Sequence, residues 1–460
     1  MPSNWRPDSG PRTNRLSLVD IGTIGRRKPS LHVMRRAIAS LTCRVIITSC
    51  TSTLSDPPTS VQPVDSTAQP SLESTSTTTT EVLEGGWIRL PHNEGAFGRA
   101  QDQVVNSLGA GPSGFVAVGV DERHGSLDEA AVWMSPDGED WSRVRRDPSF
   151  LDAELRDIVW YAEVATFVAI GNQSSEGAVW LSPDGRSWER VAVLPFDQPG
   201  GGIEVESVID AGPGLIAVGR EWLGEGSSVP AAWTSADGRS WERADVNVAD
   251  LDTDHENGIV DVAGDQGSFL AVGFAATSAS EIAPALWSST DATIWQQVEI
   301  SDEDARLSQL NAIETEDGMI VMVGESRDEG VDARAWSSTD AGDAWTRIEV
   351  ETGSVGIPVL MDVTPIRGGW LAVGADGTTL RPQTIAAIWL IQPDEVSPWI
   401  RYDARHDSLR PAGSASGVVM TAATSDGVTV VAAGFEGRDC VERFSGCDLD
   451  AAFWMWEIGS

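Results

Sequence analysis

Four acidic residues at alternate positions of one short stretch are the first whose type and spacing could do chemistry. They are Asp250, Asp252, Asp254 and Glu256. Calcium takes clustered oxygen ligands, and an Asp-x-Asp-x-Asp run is typical of the beginning of a calcium loop. His255 stands where such a loop needs glycine at its sixth position, and no glutamate follows at the twelfth. The stretch therefore predicts either a calcium site or a solvated acidic loop, and the sequence suggests no other cofactor.

Residues suited to ligand contact occur in two other places. Arg401, Arg405 and His406 belong to a basic stretch that could attract an anionic sugar or a peptide carboxylate, and salt bridges to an acidic body are the alternative. Trp222 falls outside the repeated tryptophan positions described below, so it is a candidate for stacking on a ligand. No Ser/His/Asp or His/Glu/His spacing accompanies these residues, so no catalytic residue is predicted.

Two cysteines near the end of the chain are close enough to bond to each other. Six residues separate Cys440 from Cys447. In an exported chain such a pair predicts a disulfide that closes a short loop. Two thiols alone cannot complete a zinc site.

Residues 34–50 contain the parts of an export signal. Two arginines follow Met34, a short apolar run comes next, and the segment ends in Ile-Thr-Ser-Cys50. That ending resembles the bacterial lipobox, which implies that Cys50 carries a lipid and begins the mature protein. Arg44 interrupts the apolar run, so a secreted protein without an anchor and a cytoplasmic protein with an unusual leader stay open as alternatives.

The segments on either side of this signal have the composition of disordered chain. Residues 1–33 are basic and without periodicity, which predicts a disordered leader or an upstream start that is not used. Residues 51–84 are rich in Ser, Thr and Pro and can bury too little apolar surface to fold. We expect them to form a disordered linker that carries residues 85–460 outside the cytoplasm, either lipid-anchored at the cell membrane or secreted.

Net charge excludes one class of partner. The whole chain carries a formal charge of -37, although its first 50 residues are basic. So negative a body repels the phosphates of nucleic acids and the headgroups of anionic lipids. No nucleic-acid partner is therefore expected, and any membrane contact would run through the lipid anchor.

Residues 85–460 repeat one pattern seven times. Each repeat has a strand ending in glycine and a later strand containing tryptophan, and the repeat length is about 50 residues. The glycines are Gly119, Gly171, Gly219, Gly273, Gly324, Gly374 and Gly434, and the tryptophans are Trp133, Trp180, Trp233, Trp287, Trp336, Trp389 and Trp454. This periodicity predicts an all-β, seven-bladed β-propeller of four-stranded blades.

The fourth strand of each repeat indicates how the ring closes. Its form, Trp-x-Arg-Val or a near variant, follows the first six repeats, but the chain ends before a seventh copy. The missing copy is Trp87-Ile-Arg-Leu90, which precedes the first repeat. We therefore expect the N-terminal strand to complete the last blade, which removes two exposed sheet edges.

In five of the repeats, the turn before the fourth strand resembles the Asp-box, or BNR, repeat of sialidases and other secreted propellers. The resemblance covers five turns with the form Ser-x-Asp-Gly-x-x-Trp or a near variant, and their aspartates are Asp137, Asp184, Asp237, Asp291 and Asp340. In the resembling families these turns are peripheral and structural, which is the role expected here. Sialidase chemistry implies a tyrosine nucleophile and six blades, whereas this chain has only Tyr161 and Tyr402 and seven repeats.

Taken together, these features favour a monomeric binding or scaffolding module. Its expected partner is a cell-surface protein or glycan. A glycoside-acting enzyme of the sialidase type is the alternative.

Overall fold

A computed structural model describes residues 86–457, apart from 94, 98–101, 123–126, 197–200, 213, 225, 266, 279–280, 307, 327–331, 352–356, 378–383, 392–398, 403–406, 414 and 439–447. The chain forms seven antiparallel sheets, which we number as blades 1 to 7 and whose strands we number from the inside outward. Strands one to four are Asp102–Gly111, Gly114–Glu122, Glu129–Ser135 and Ser142–Arg143 in blade 1; Ala153–Tyr161, Thr166–Gln173, Glu176–Ser182 and Glu189–Val193 in blade 2; Gly202–Asp210, Leu215–Gly224, Ser227–Ser235 and Glu242–Arg243 in blade 3; Gly258–Asp265, Ser268–Ser278, Glu281–Ser289 and Ile294–Val298 in blade 4. They are Ser308–Glu316, Met319–Ser326, Asp332–Ser338 and Thr346–Ile348 in blade 5; Ile357–Ile366, Gly369–Gly377, Ile385–Ile391 and Ile400–Arg401 in blade 6; Ala415–Ser425, Thr429–Arg438, Asp448–Glu457 and Ile88–Arg89 in blade 7.

The ring closes as the sequence predicts. Strand one of each blade contacts strand one of the next, and blade 7 contacts blade 1 in the same way. The N-terminal strand Ile88–Arg89, which we call the closing strand, pairs antiparallel with Asp448–Glu457, and Arg89 lies opposite Trp454. The seven-bladed propeller and its closure are thereby confirmed.

Blade 4 departs from the four-strand pattern. A short strand, Asp245–Val246, pairs parallel with its outermost strand. Helical segments of the described chain are limited to Glu303–Arg306 and the 3-10 turns Pro148–Phe150, Ala162–Val164 and Asp407–Leu409. None of the helices among the described residues has the length and apolarity needed to cross a membrane.

The seven repeated glycines are explained by a β-bulge in strand one of every blade. The pairing register shifts by one residue there, for example between Val105 and Ser107 of blade 1. The bulge pushes a backbone carbonyl of strand one against the glycine opposite it. At each of these glycines an added Cβ would lie 1.9–2.1 Å from that oxygen, so no other residue fits without moving the backbone.

The repeated tryptophans hold the blades together. The strand-three tryptophans are completely buried, and Nε1 of Trp133 donates to the carbonyl oxygen of Ala96 at 2.7 Å. Apolar clusters fill the interfaces between neighbouring blades, including the one between blades 7 and 1, where the rings of Trp141 and Phe453 lie 4.3 Å apart.

The arginine of Trp-x-Arg-Val has a structural partner. In four blades it forms an ion pair at 2.5–2.8 Å with the acid two residues after the strand-two glycine, and its guanidinium stacks on the strand-three tryptophan. The pairs are Arg143 with Asp121, Arg243 with Glu221, Arg401 with Asp376 and Arg89 with Glu436. Because Arg89 comes from the closing strand, the N-terminal segment rebuilds this pair in blade 7.

Candidate functional site

In each blade, the register shift of strand one leaves one residue without a pairing partner on strand two, and we call it the bulge residue. The identity of this residue differs between blades. In blades 1, 5 and 7 this residue binds the next blade: Asn106, Asn311 and Thr421 each donate to a carbonyl oxygen there at 2.7–2.8 Å. In blades 2 and 3 the corresponding residues are Arg156 and Glu206. At these two positions a charged side chain stands where the other three blades have a neutral side chain that hydrogen-bonds to the next blade.

Arg156 is a buried guanidinium surrounded by carboxylates. The residue is 3% exposed, and its terminal nitrogens lie 3.4 Å from Glu154, 3.8 Å from Glu204 and 4.0 Å from Glu206. A formed charge-assisted hydrogen bond is about 2.7–2.9 Å long. In addition, Nε of Arg156 has no hydrogen-bond partner among the described residues. The guanidinium is therefore held mainly by charge, and one of its donors, Nε, is buried without such a partner.

A second arginine continues this network toward blade 4. Arg220 binds Glu204 through Nε at 2.8 Å and Nη2 at 2.6 Å. Its other side reaches Glu256 at 3.5 Å, and the guanidinium stacks on Trp222 at 4.5 Å. We call Glu122, Glu154, Arg156, Glu204, Glu206, Arg220 and Glu256 the mouth cluster, because they lie at the end of the ring where strand one begins and strand two ends.

Crowding of carboxyl groups changes the titration of the mouth cluster. Burial raises the pKa of Glu122 to about 8, and the nearby charges of Glu154, Asp128 and Asp102 add to the effect. Burial likewise raises the pKa of Glu154 above its ordinary value, although Arg156 opposes the shift. At neutral pH Glu122 is therefore largely protonated, among neighbours that compete for the same two arginines.

The structure places the predicted ligand residues in different roles. Trp222 is half-buried in strand two of blade 3 and packs beside the mouth cluster through Arg220. Arg401 is the blade 6 copy of the buried structural arginine: its side chain is 7% exposed and its Nη1 pairs with Asp376. Arg405 and His406 lie outside the described residues.

The predicted calcium loop does not bring its acids together. Asp250, Asp252 and Asp254 are exposed, and Asp252 binds Nδ1 of His255 at 3.0 Å. Glu256 turns instead toward Arg220. Among the described residues these four acids form no group of three donor atoms within 4.8 Å of one another. Calcium binding at this loop stays a prediction from the sequence.

One group of potential metal ligands does occur at the edge of blade 7. Donor atoms of His92, Glu436 and Asp450 lie within 4.8 Å of one another. Arg438 is 3.1 Å from Glu436 and 3.2 Å from Asp450, and Arg89 is 2.6 Å from Glu436. Two guanidinium groups already neutralise these carboxylates, so the cluster serves the closure of the ring rather than a metal ion.

The five predicted Asp-box aspartates bind their own turns. Oδ1 of Asp237 accepts the backbone N–H groups of Arg239 and Ser240 at 2.8 and 2.7 Å, and Nε1 of Trp241 donates to the Gly238 carbonyl. Gly238 has a φ of +71°, which a glycine adopts without strain. The aspartates of the other four turns also accept backbone N–H groups of their own turns, two each at Asp137, Asp184 and Asp291 and one at Asp340.

These contacts predict a pH dependence of stability. The N–H group of Ser240, followed by that of Arg239, holds the pKa of Asp237 below its ordinary value, and the pKa values of the other four aspartates are lowered as well. A depressed folded pKa stabilises the protein above about pH 4, and this stabilisation is lost as the pH falls through the folded pKa. In thermal unfolding between about pH 5 and pH 2, Asp237→Asn should unfold at a lower temperature than the wild type at the upper end, and the difference should shrink at the lower end.

Asp245→Asn is the matched control, since the Asp245 side chain is exposed and belongs to no such turn. A constant difference between Asp237→Asn and the wild type across the whole range would contradict the role assigned to the carboxylate.

A cavity of about 460 Å³ opens between blades 3 and 4 beside two Asp-box turns. Leu215, Ile216 and Phe269 supply its apolar lining, and Asp237 and Asp291 contribute polar edges. Both aspartates are occupied by backbone amides of their own turns. The cavity thus lacks a cluster of buried charges like that of the mouth cluster.

Other predicted features cannot be placed. Cys440, Cys447, Cys50 and residues 1–85 lie outside the described residues. The disulfide, the lipid attachment, the signal, the linker and the extracytoplasmic location therefore stay predictions from the sequence.

No family model and no curated protein matches this chain. Among solved structures, an endosialidase of phage phi92 is 12% identical, covers 82% of this chain and 69% of its own, and has a TM-score of 0.45. A sialidase of Trypanosoma rangeli in complex with the inhibitor DANA is 12% identical, covers 66% of this chain and 55% of its own, and has a TM-score of 0.40. These similarities are too distant to bear on activity, so the proposals below rest on the geometry of this chain.

Proposed function

We propose that the protein is an extracytoplasmic binding module for a cell-surface protein or glycan, and that the mouth cluster is its ligand site. The observation that carries this proposal is Arg156, a buried guanidinium kept 3.4–4.0 Å from three carboxylates. Burying such a group in a structural role normally requires complete hydrogen bonding. A ligand that supplies donors and acceptors would complete the network.

The test is a glycan and protein array probed with the purified full-length protein and two variants. Glu206→Gln removes one carboxylate next to Arg156 and keeps its shape. We expect it to weaken binding of the array ligand about tenfold, the effect of one lost charge-assisted contact. Glu189→Gln makes the same chemical change on an exposed outer strand and should bind like the wild type. Equal binding by all three proteins would contradict the assignment of the site.

A glycoside-acting enzyme is the second candidate, and Glu122 is the observation in its favour. A carboxyl group with a pKa of about 8 beside other carboxyl groups could donate a proton to a leaving oxygen. The acid form exists below that pKa, so such activity should decline as the pH rises through about 8. If the purified full-length protein hydrolyses aryl glycosides and Glu122→Gln abolishes this activity, the proposal of an enzyme replaces that of a binding module.

A further inference from the structure

The cavity between blades 3 and 4 corresponds to a space that a tyrosine fills between blades 2 and 3. In blade 2, Tyr161 lies at the end of strand one and is 1% exposed. Its ring belongs to the apolar cluster between blades 2 and 3, and its hydroxyl donates to the carbonyl oxygen of Ala236 at 2.9 Å. Counted from the bulge residue, the equivalent position in blade 3 is Ala211. Ala211 lines the cavity of about 460 Å³, so the space of a phenol ring is left open there.

The walls of this space are apolar in both places. Tyr161 shares its cluster with Val168 of blade 2 and Leu215 of blade 3, which lie near the start of strand two. Counted from the strand-two glycine, the same two positions are Ile216 in blade 3 and Phe269 in blade 4, and both line the cavity. Ligand cavities of about 300–1,000 Å³ are typically lined by such apolar and aromatic side chains. The cavity therefore has the size and the walls for a ring.

The acceptor of the tyrosine hydroxyl also recurs. Ala236 immediately precedes the Asp-box aspartate of blade 3, and Thr290 holds this position in blade 4 and lines the cavity. In the part of the chain that the structure describes, no donor binds the carbonyl oxygen of Thr290. A ligand hydroxyl in the place of the Tyr161 hydroxyl would supply that donor.

Charge limits what else the ligand can carry. Three acidic residues line the cavity, and its described lining contains no arginine, lysine or histidine; the acids are Asp237, Glu242 and Asp291. Backbone N–H groups of their own turns hold the pKa values of Asp237 and Asp291 below the ordinary value, so both are ionised at neutral pH. An anionic ligand is therefore repelled, whereas a neutral or cationic one is not.

We propose that this cavity binds a phenol ring on a neutral or cationic carrier, the ring packing against Ile216 and Phe269 and the hydroxyl donating to the carbonyl oxygen of Thr290. The cavity lies where strand one ends and strand two begins, which is the opposite end of the ring from the mouth cluster. The inference therefore goes beyond the proposed function and does not depend on it. Both a free phenolic amine and a tyrosine side chain of a partner protein offer this chemistry.

Calorimetric titration of the full-length protein with matched probes tests the recognised groups. Tyramine has the phenol ring and a positive charge, phenethylamine lacks only the hydroxyl, and 3-(4-hydroxyphenyl)propionate has a negative charge instead. Tyramine should bind about fivefold more tightly than phenethylamine, the effect of one hydrogen bond, and at least about fivefold more tightly than the propionate. A Gly-Tyr-Gly peptide with blocked ends distinguishes the sources. Tighter binding of the peptide than of tyramine would identify a protein tyrosine as the ligand, and weaker binding a free phenol.

The sharpest variant is Ala211→Tyr, because it gives blade 3 the side chain that blade 2 already accommodates. It should abolish tyramine binding and, by filling the cavity, raise the melting temperature by at least about 1 °C. Ser240→Trp changes an exposed residue at the rim of the cavity and should also abolish binding. Ser187→Trp makes the same change in the corresponding turn of blade 2, next to the space that Tyr161 fills, and should bind tyramine like the wild type.

Three results would overturn the inference. Equal affinities for tyramine and phenethylamine would show that the hydroxyl is not recognised. Tyramine binding that survives Ser240→Trp would place the probe elsewhere on the acidic surface, and this variant decides alone if Ala211→Tyr does not fold. Failure of every phenol to bind would also end the inference. Glu206→Gln should leave tyramine binding unchanged, so a protein that binds its array ligand through Glu206 but binds no phenol would retain the proposed function and lose only this second site.

Discussion

Deleting residues 1–90 is expected to abolish cooperative folding, whereas deleting residues 1–84 should leave the unfolding transition intact. The longer deletion removes Trp87 and Leu90, which are 3% and 7% exposed, together with the closing strand between them. Losing a buried tryptophan costs about 3–5 kcal/mol, and losing a buried leucine about 2–5 kcal/mol. Buried Glu436 also loses Arg89 and keeps only Arg438 as a charged partner, which adds about 1.5–3 kcal/mol. The total is comparable to the whole stability of a typical domain, about 5–15 kcal/mol.

Urea unfolding of the two truncated proteins, followed by tryptophan fluorescence, measures this difference. Equal midpoints would refute closure by the N-terminal strand. The longer deletion removes a whole strand and many contacts at once. A point variant is therefore needed to measure the contribution of one contact. Arg89→Met should cost about 2 kcal/mol, since Glu436 is 1% exposed and would keep only Arg438 as a charged partner. Arg190→Met is the control: Arg190 also lies in a fourth strand, but its partner Glu176 is exposed, so the loss should stay below about 1 kcal/mol.

The pH dependence of the Arg89 variant offers a second readout. Burial alone would raise the pKa of Glu436, but Arg89, Arg438 and the N–H group of Ala412 together outweigh burial and hold the pKa below its ordinary value. The stabilisation is therefore present above about pH 4.5 and is lost as the pH falls through the folded pKa. The difference between Arg89→Met and the wild type should narrow accordingly in acid.

The architecture could be predicted from the sequence because each blade obeys the same local constraints. Gly219 and Trp233 recur at fixed places since one faces a bulge and the other fills a blade interface. The closing strand could be predicted because Arg89 repeats the form of Arg143. Residues that recur at the same repeat position therefore identify the contacts that every blade requires.

The mouth cluster could not be predicted because it depends on what differs between blades. Simple alternation along strand one assigns Arg156 to a face of its sheet, whereas the bulge turns it out of the ladder. Its partners Glu204 and Glu206 come from the next blade, about 50 residues away in the chain. The available signal was charge within the innermost strands, in Glu154-Leu-Arg156 and Glu204-Val-Glu206.

Arg401 shows how a repeat position can be overlooked when a residue is read with its sequence neighbours alone. Its position in a basic stretch suggested an exposed ligand contact, but the third residue of Trp-x-Arg is a structural arginine in this fold. The buried partner, Asp376, lies 25 residues earlier, two residues after Gly374. The repeat contained this information, since Arg143 and Asp121 are related in the same way.

Replacing a strand-two glycine by alanine is expected to be among the most damaging single substitutions. At Gly219 a Cβ would lie 2.1 Å from the carbonyl oxygen of Glu204 and 2.8 Å from Cα of Val205. Both contacts are backbone atoms of the bulge, so no rotation of a side chain relieves them. Overpacking normally costs about 1–3 kcal/mol, and we expect Gly219→Ala to reach at least the upper end of that range.

Gly224→Ala provides the matched control in the same strand. No atom lies within 4 Å of a Cβ added there, so the substitution should change the free energy of unfolding by less than about 0.5 kcal/mol. Urea unfolding of both variants measures the difference. Because Gly219 presses on the carbonyl of Glu204, Gly219→Ala should also shift the carboxylate that binds Arg220, and ligand binding at the mouth cluster should weaken even where the protein is still folded. A Gly219→Ala protein as stable as Gly224→Ala would mean that the bulge can move, and the spacing of Glu204 and Glu206 around Arg156 would then not be fixed by the blade.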